Sequence, residues 1–442
     1  MRTQRRIALL IIFALAILQG CHGGDATSQP NPLATADQLN AERSAINIAA
    51  TPEVQQAKQL FAQQWLAAAG PVSAETLSYF EGAVDEMVFF MALTISTNDP
   101  NYPNIVSLLA APHTWFGTSV PGSRMVFDNP DSTYRRIPID PNASYIISGR
   151  QNPFPPIDAN YSLFDLFNNT ISNLSDKELV TAPDGSFTIT VDSSPANGRP
   201  NHIQSTPQAA SLFVRNTVSD WATQSFDTLS VQRVGGPPLP APRSFNELVG
   251  QTAAFLPFLM GTVNAFINRI AEVPVNTLPP ISMGGTGGLL STQAQTYSSF
   301  QIADDEALVV TVDLGGAAYF ICPVYTRWFT TTDYVNHTQS LNNAQAAANP
   351  DGTYTFVVSM KDPGIYNWVD TVGLHEGILN LRWQGLPDQP PASGGVAATI
   401  RLIKLADMAT TLPSGTRYVT PSERQEQLAA RAAAYARRYR DY

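Results

Sequence analysis

The residues best suited to chemistry lie in one stretch, Asn349 to Trp383, which reads NPDGTYTFVVSMKDPGIYNWVDTVGLHEGILNLRW. It sets His375 beside Glu376, with Asp370 shortly before them, the pair Asn367 and Trp368 upstream, and Arg382 near the end. An imidazole titrates near neutrality and suits general-base work, a carboxylate orients it, and a guanidinium holds anions. One reading therefore makes His375 catalytic, oriented by Asp370 or Glu376, with Asn367, Trp368 and Arg382 contacting a ligand. The competing reading is structural: Asn367 bonds loop backbone, Trp368 plugs a sandwich and Arg382 makes a fixed ion pair. The structural reading has the better support, because no nucleophile motif accompanies the histidine.

The rest of the chain adds little chemistry. It has no G-x-S-x-G elbow and no H-E-x-x-H. The histidines His22, His113, His202, His337 and His375 are widely spaced, and no His- or Cys-rich cluster occurs, so neither a metal nor a cofactor is expected. Glu81, Asp85 and Glu86 read as the solvated side of an amphipathic helix. The run Gly284-Gly285-Thr286-Gly287-Gly288 lacks the Lys-Ser/Thr of a phosphate loop and reads as a plain loop.

The elements that would position these residues are strands and turns. Asp362-Pro363-Gly364 fits a type II turn that delivers Asn367, Trp368 and Asp370 into a loop. In the strand that follows, Asn380 and Arg382 share one face, while Leu379, Leu381 and Trp383 share the other. Arg382 thus bridges a carboxylate or faces a cleft.

With 442 residues, 34 prolines, 28 glycines and only 14% charged residues, the chain reads as turn-rich and mainly β, with more than one domain. The net charge of −10 repels phosphate backbones and excludes nucleic acid as a partner. Arg2, Arg5 and Arg6 precede an apolar run from Ile7 to Leu18, the pattern of a signal peptide and too short to span a bilayer. Leu18-Gln19-Gly20-Cys21 resembles the lipobox of bacterial lipoproteins. That resemblance implies a lipidated Cys21 as mature N-terminus and, with His22 rather than Asp next, an outer-membrane location in a Gram-negative cell. Cys322 is then left without a disulfide partner.

Apolar periodicity predicts helices from Ala36 to Ala69, broken at Thr51-Pro52, and again after Ser73. A third helical region, Arg243 to Val273, should be split by Pro257 and serve as a buried connection. The closing segment SERQEQLAARAAAYARRYRDY reads as a solvated helix bearing Arg424, Arg431, Arg437, Arg438 and Arg440. Pro183-Asp184-Gly185 and Gly315-Gly316 are hairpin signals. The expected organisation is a signal peptide (1–20), tether (21–50), helical segment (51–110), first β-unit (111–235), helical connection (236–290), second β-unit (291–408) and C-terminal helix (409–442).

The two β-units carry a repeat. Laying Pro183-Asp184-Gly185 on Pro350-Asp351-Gly352 puts Phe187, Ile189 and Val191 on Tyr354, Phe356 and Val358, and Arg215 on Arg382. Upstream of Pro183 the correspondence fades, so the duplication reads as partial.

The run from Tyr297 to Trp383 resembles a bacterial domain-of-unknown-function family of the 1214 type. The matching residues are Asp304-Asp305-Glu306-Ala307-Leu308, Trp328, Asp351-Gly352, Asp362-Pro363-Gly364, Asn367-Trp368 and Arg382-Trp383. The earlier Asn129-Pro130-Asp131-Ser132-Thr133-Tyr134 is similar to the signature of a 1254-like upstream domain. The resemblance implies β-sandwich domains decorated with helices and supplies no activity, cofactor or catalytic residues. The expectation is an α+β, mainly β protein of two related sandwich or jelly-roll-like units. It would be lipid-anchored in the envelope and bind a small molecule or envelope component, the alternative being an envelope hydrolase of sugars or esters acting near His375.

Overall fold

The computed structural model describes residues 31–284, 290, 292–392 and 394–440. Cys21, the signal peptide and part of the Gly-rich run lie outside the described residues.

The chain opens with helices α1 (Ala36–Ala49), α2 (Pro52–Ala69), α3 (Ala74–Ser78) and α4 (Phe80–Thr97). Thr35 and Ser73 cap the first and third with their side-chain oxygens, satisfying amides that have no intrahelical partner. Strands β1 (Val106–Ser107), β2 (His113–Trp115) and β3 (Thr118–Val120) follow. The first β-unit contains β4 (Ser132–Pro138), β5 (Ser144–Arg150), β6 (Asp158–Phe164), β7 (Thr170–Ser175), β8 (Ser186–Asp192), β9 (His202–Gln204), β10 (Ser211–Thr217) and β11 (Thr228–Gly235). Helices α5 (Phe245–Phe255) and α6 (Leu259–Ala271) connect to β12 (Ser282–Met283). The second unit contains β13 (Ala294–Gln301), β14 (Glu306–Asp313), β15 (Tyr319–Tyr325), β16 (Ser340–Asn342), β17 (Tyr354–Ser359), β18 (Trp368–Asp370), β19 (Glu376–Gln384) and β20 (Ala397–Lys404). Short α7 (Met408–Thr411) and long α8 (Pro421–Ala436) close the chain.

The fold is α+β and mainly β, as expected: each unit is a sandwich of a five-stranded and a four-stranded sheet. The first pairs β1-β4-β10-β6-β7 with β11-β5-β8-β9, and the second pairs β12-β13-β19-β15-β16 with β20-β14-β17-β18. Strand for strand the orders are the same, and β8–β9 and β17–β18 are the parallel pairs of their sheets. The duplication is therefore complete rather than partial. Upstream of Pro183 it is carried by topology and no longer by residue identity.

Both glycine turns are real, but neither closes a hairpin. Gly315 and Gly316 hold φ of +52° and +83°, where a side chain would be strained. The strands they join, β14 and β15, sit in different sheets, so the turn crosses the sandwich. Pro183-Asp184-Gly185 likewise feeds β8, which pairs with β5 and β9 and not with the preceding β7.

Each sandwich encloses its own core, with Phe187, Ile189 and Val191 in the first and Phe356, Val358, Leu379, Leu381 and Trp383 in the second. A further core joins α1, α2, α4, α5 and α6 to Trp115, Trp221 and Trp328. Pro257 splits the connecting helix as predicted, through a 3-10 turn at Leu256–Phe258. That helix is not buried, however. The stretch Phe245–Ala271 is long and apolar enough by composition to cross a membrane, yet only Val249, Thr252, Leu256, Met260 and Val263 in it are buried, and Phe258 is 74% exposed.

The charged residues of the helices also depart from expectation. Glu86 is not solvated: it is buried and ion-paired with Arg124. Asp85 pairs with Lys58 on the surface. Arg424 and Arg431 of α8 are buried as well. The first holds Asp362 at 2.9 Å and the Ile365 carbonyl. The second donates to the Tyr334 carbonyl at 2.6 Å and lies over the Trp221 ring. The C-terminal helix is thus bolted on by its arginines, since guanidinium donors find carbonyl and carboxylate acceptors where an apolar stripe would have been expected.

Candidate functional site

The triad anticipated around His375 does not assemble. His375 lies at the surface, its Nδ1 3.0 Å from Glu75 and its Nε2 3.0 Å from Asp304, and these two carboxylates raise its pKa above the ordinary value. Asp370 instead pairs with His337 at 2.8 Å. Glu376 accepts from the Ser73 and Thr76 hydroxyls at 2.9 and 2.7 Å, fixing the start of α3. The reason is topological: Asp370 ends β18 in one sheet and Glu376 opens β19 in the other.

Asn367 takes the structural role foreseen for it, donating to the Ala347 and Thr355 carbonyls at 2.8 and 2.9 Å and accepting from the Ala347 amide. Trp368 does not plug the sandwich. Its neighbour Val369 points into the core, and the indole faces outward beneath the Arg424 guanidinium, 5.1 Å from the ring centroid.

Arg382 is different. Along β19, Leu379, Leu381 and Trp383 enter the core, so Asn380, Arg382 and Gln384 project from the opposite face. Along β10, Leu212 and Val214 enter the core of the first unit, so Phe213, Arg215 and Thr217 project likewise. These two outer faces meet. Thr217 donates to Gln384 at 2.8 Å, and the two residues occupy equivalent places in the repeat (384 − 217 = 167). Arg215 and Arg382 are equivalent in the same way (382 − 215 = 167). The seam between the sandwiches therefore brings the paired arginines of the duplication together.

Both are buried, with 7% and 5% of their surface exposed. Arg215 donates to Gln293 at 2.9 Å and lies over the Tyr134 ring. Arg382 donates to the Tyr325 hydroxyl at 2.7 Å and to the Phe127 carbonyl, leaving its Nε without a partner. The expected ion pair at Arg382 is absent, since no carboxylate among the described residues bonds it. Desolvation, with Arg382 contributing, lowers the pKa of Arg215. Arg136, also facing outward on β4, is lowered by desolvation alone. Sequence reasoning missed Arg136, although its position next but one to Tyr134 on a strand puts both on one face.

The lining has further unmet polar capacity. Asn380 is 2% exposed with its Oδ1 unpartnered, and the Gln384 Nε2 is also unpartnered. Val126 and Phe127 both adopt left-handed backbone, with φ of 45° and 65°, and it is the Phe127 carbonyl that meets Arg382. For a β-branched residue that conformation is costly and persists only when its surroundings enforce it.

The Asn129–Tyr134 motif runs along this same seam. Asp131 accepts from Tyr319 at 2.6 Å and from Asn342 at 2.8 Å, both in the second unit, and from Trp221 at 2.7 Å. One buried carboxylate thereby staples the two sandwiches. Aromatic rings of Tyr134, Phe213 and Tyr325 lie under the arginines of these outer faces.

No family model matches the chain, and no curated protein matches it. Among solved structures it is similar to an uncharacterised protein from Burkholderia cenocepacia, at 24% identity and a TM-score of 0.68, covering 85% of this chain and 100% of that one. A protein from Vibrio parahaemolyticus aligns at 11% identity and a TM-score of 0.41, over 73% of this chain and 99% of that one. The first likeness shows the fold.

Proposed function

We propose that this protein is a lipid-anchored, non-catalytic component of the bacterial envelope that binds an anionic small molecule at the seam between its two β-sandwiches. The observation that carries this reading is the pair Arg215 and Arg382, equivalent in the repeat and buried together. A buried cation costs several kcal/mol unless a counter-charge or a dense set of acceptors compensates it. Arg382 has two oxygen acceptors and, among the described residues, no carboxylate bonded to it, Asp128 acting only from a distance, so an incoming carboxylate or phosphate would gain a charge-assisted contact in a desolvated setting. Anchoring rests on the Leu18–Cys21 lipobox pattern, and the outer membrane on His22.

Calorimetry and thermal-shift assays with inorganic phosphate, mono- and dicarboxylates and phosphate esters test the binding reading. At least one class should bind, and Arg382→Gln and Arg215→Gln should each weaken it tenfold or more, while His375→Ala leaves it unchanged. Binding by no member of the panel, or unaltered affinity in both arginine variants, would overturn it. Metabolic labelling with a tagged fatty acid, lost on Cys21→Ser, tests the anchor separately.

A further inference from the structure

Away from the seam, an open groove of about 380 Å³ runs between the end of α6, the end of α2 and the first residues of β19. Its walls are aliphatic and aromatic: Ile267, Ile270, Val273, Val275, Phe300 and Ile378. Ile267, Ile270 and Val273 are only half-buried, and Val275 is 48% exposed. Concave apolar strips left open at a surface mark ligand-binding grooves.

The polar groups of the groove indicate what that occupant is. Arg327 lines it, and its only ion-pair contact among the described residues is a long one, 3.5 Å to Glu376 Oε2. Glu376 is engaged elsewhere: its other oxygen takes Ser73 and Thr76, so it stays with α3 whether or not Arg327 leaves. The groove therefore pairs an apolar trough with one arginine able to turn towards an anion.

We infer that this groove is a second binding site, independent of the seam, for a free single-chain amphiphile of the fatty-acid class. The acyl chain lies along Ile267, Ile270 and Ile378, and the carboxylate exchanges with Glu376 for Arg327. Charge complementarity selects a carboxylate over an alcohol, and the trough selects a long chain over a short one.

The test is displacement of a fluorescent fatty-acid probe from the full chain, in detergent-free buffer, by dodecanoate, dodecanol and acetate. Dodecanoate should displace the probe at a stoichiometry of one, dodecanol at least tenfold more weakly, and acetate not at all. Ala271→Trp fills the groove from an exposed position and should abolish displacement; Arg327→Gln should erase the preference for dodecanoate over dodecanol. Arg382→Gln, which disables the seam, should leave dodecanoate binding intact, so failure of one site is distinguishable from failure of the other. Equal affinity of dodecanoate and dodecanol, or unchanged binding in Ala271→Trp, would overturn the inference, as would loss of binding in Arg382→Gln.

Discussion

Replacing Asp158 by asparagine should make the protein more stable at neutral pH and flatten its response to acid. Asp158 opens β6 at the edge of the seam and is 4% exposed. Desolvation first, and the nearby Asp176 second, push its pKa from 3.8 up to about 6. The unfolded chain keeps the lower value, so between pH 3.8 and 6 the folded state holds the proton more tightly. Stability from this group is therefore fully present below the unfolded value and is lost as pH rises through the folded one. At about 1.36 kcal/mol per unit, the 2.2-unit gap corresponds to roughly 3 kcal/mol lost between those limits. Asp128, pushed up to about 6 chiefly by burial, acts in the same direction and window.

Asp158 is the cleaner site for the substitution. Its one side-chain partner among the described residues, Asn160, donates at 2.9 Å, and an amide oxygen can still accept that bond. Both Asp128 oxygens are occupied by Thr331, so an amide there would forfeit a contact. Urea unfolding at pH 4.5, 5.5, 6.5 and 7.5 should show the wild type losing stability as pH rises. Asp158→Asn should match it at pH 4.5 and exceed it by about 2–3 kcal/mol at pH 7.5. A variant with the wild-type slope, or one less stable at pH 7.5, would show that the buried carboxylate is not strained by its surroundings.

Other features give equally direct expectations. Arg424→Ala removes the bonds to Asp362 and the Ile365 carbonyl, and should cost about 2–3 kcal/mol and raise amide hydrogen exchange selectively in α8; exchange rising equally throughout would refute the bolt. Phe258→Ser, at a 74% exposed position, should change stability by no more than about 0.5 kcal/mol while lowering self-association in light scattering.

How far the sequence reaches depends on the range of the forces involved. Strand phase is local, so Phe187, Ile189 and Val191 could be assigned to a core, and the repeat that equates Arg215 with Arg382 could be read from spacing alone. The positive φ at Gly315 and Gly316 is local too, but the sheet to which the next strand returns is not, and a hairpin signal became a crossing between sheets. His375 and Asp370 are close in sequence for a reason that misleads: they flank the switch from β18 to β19, and each finds its partners, Glu75 and His337, from a different side of the fold. The α8 arginines looked solvated because composition counts charge without knowing the acceptors opposite, here the Tyr334 and Ile365 carbonyls. The seam combines both cases. Alternation predicted that Arg382 leaves the core, and duplication predicted a twin, but their meeting depends on two outer sheet faces closing on each other through Thr217, Gln384 and Asp131. A duplicated fold that docks like face to like face brings the outward residues nearest the axis between the units close to their own copies, as Thr217 and Gln384 are. A single outward arginine in the ancestral unit thus becomes a buried pair of like charges, which is a liability for stability and the basis of the anion-binding proposal.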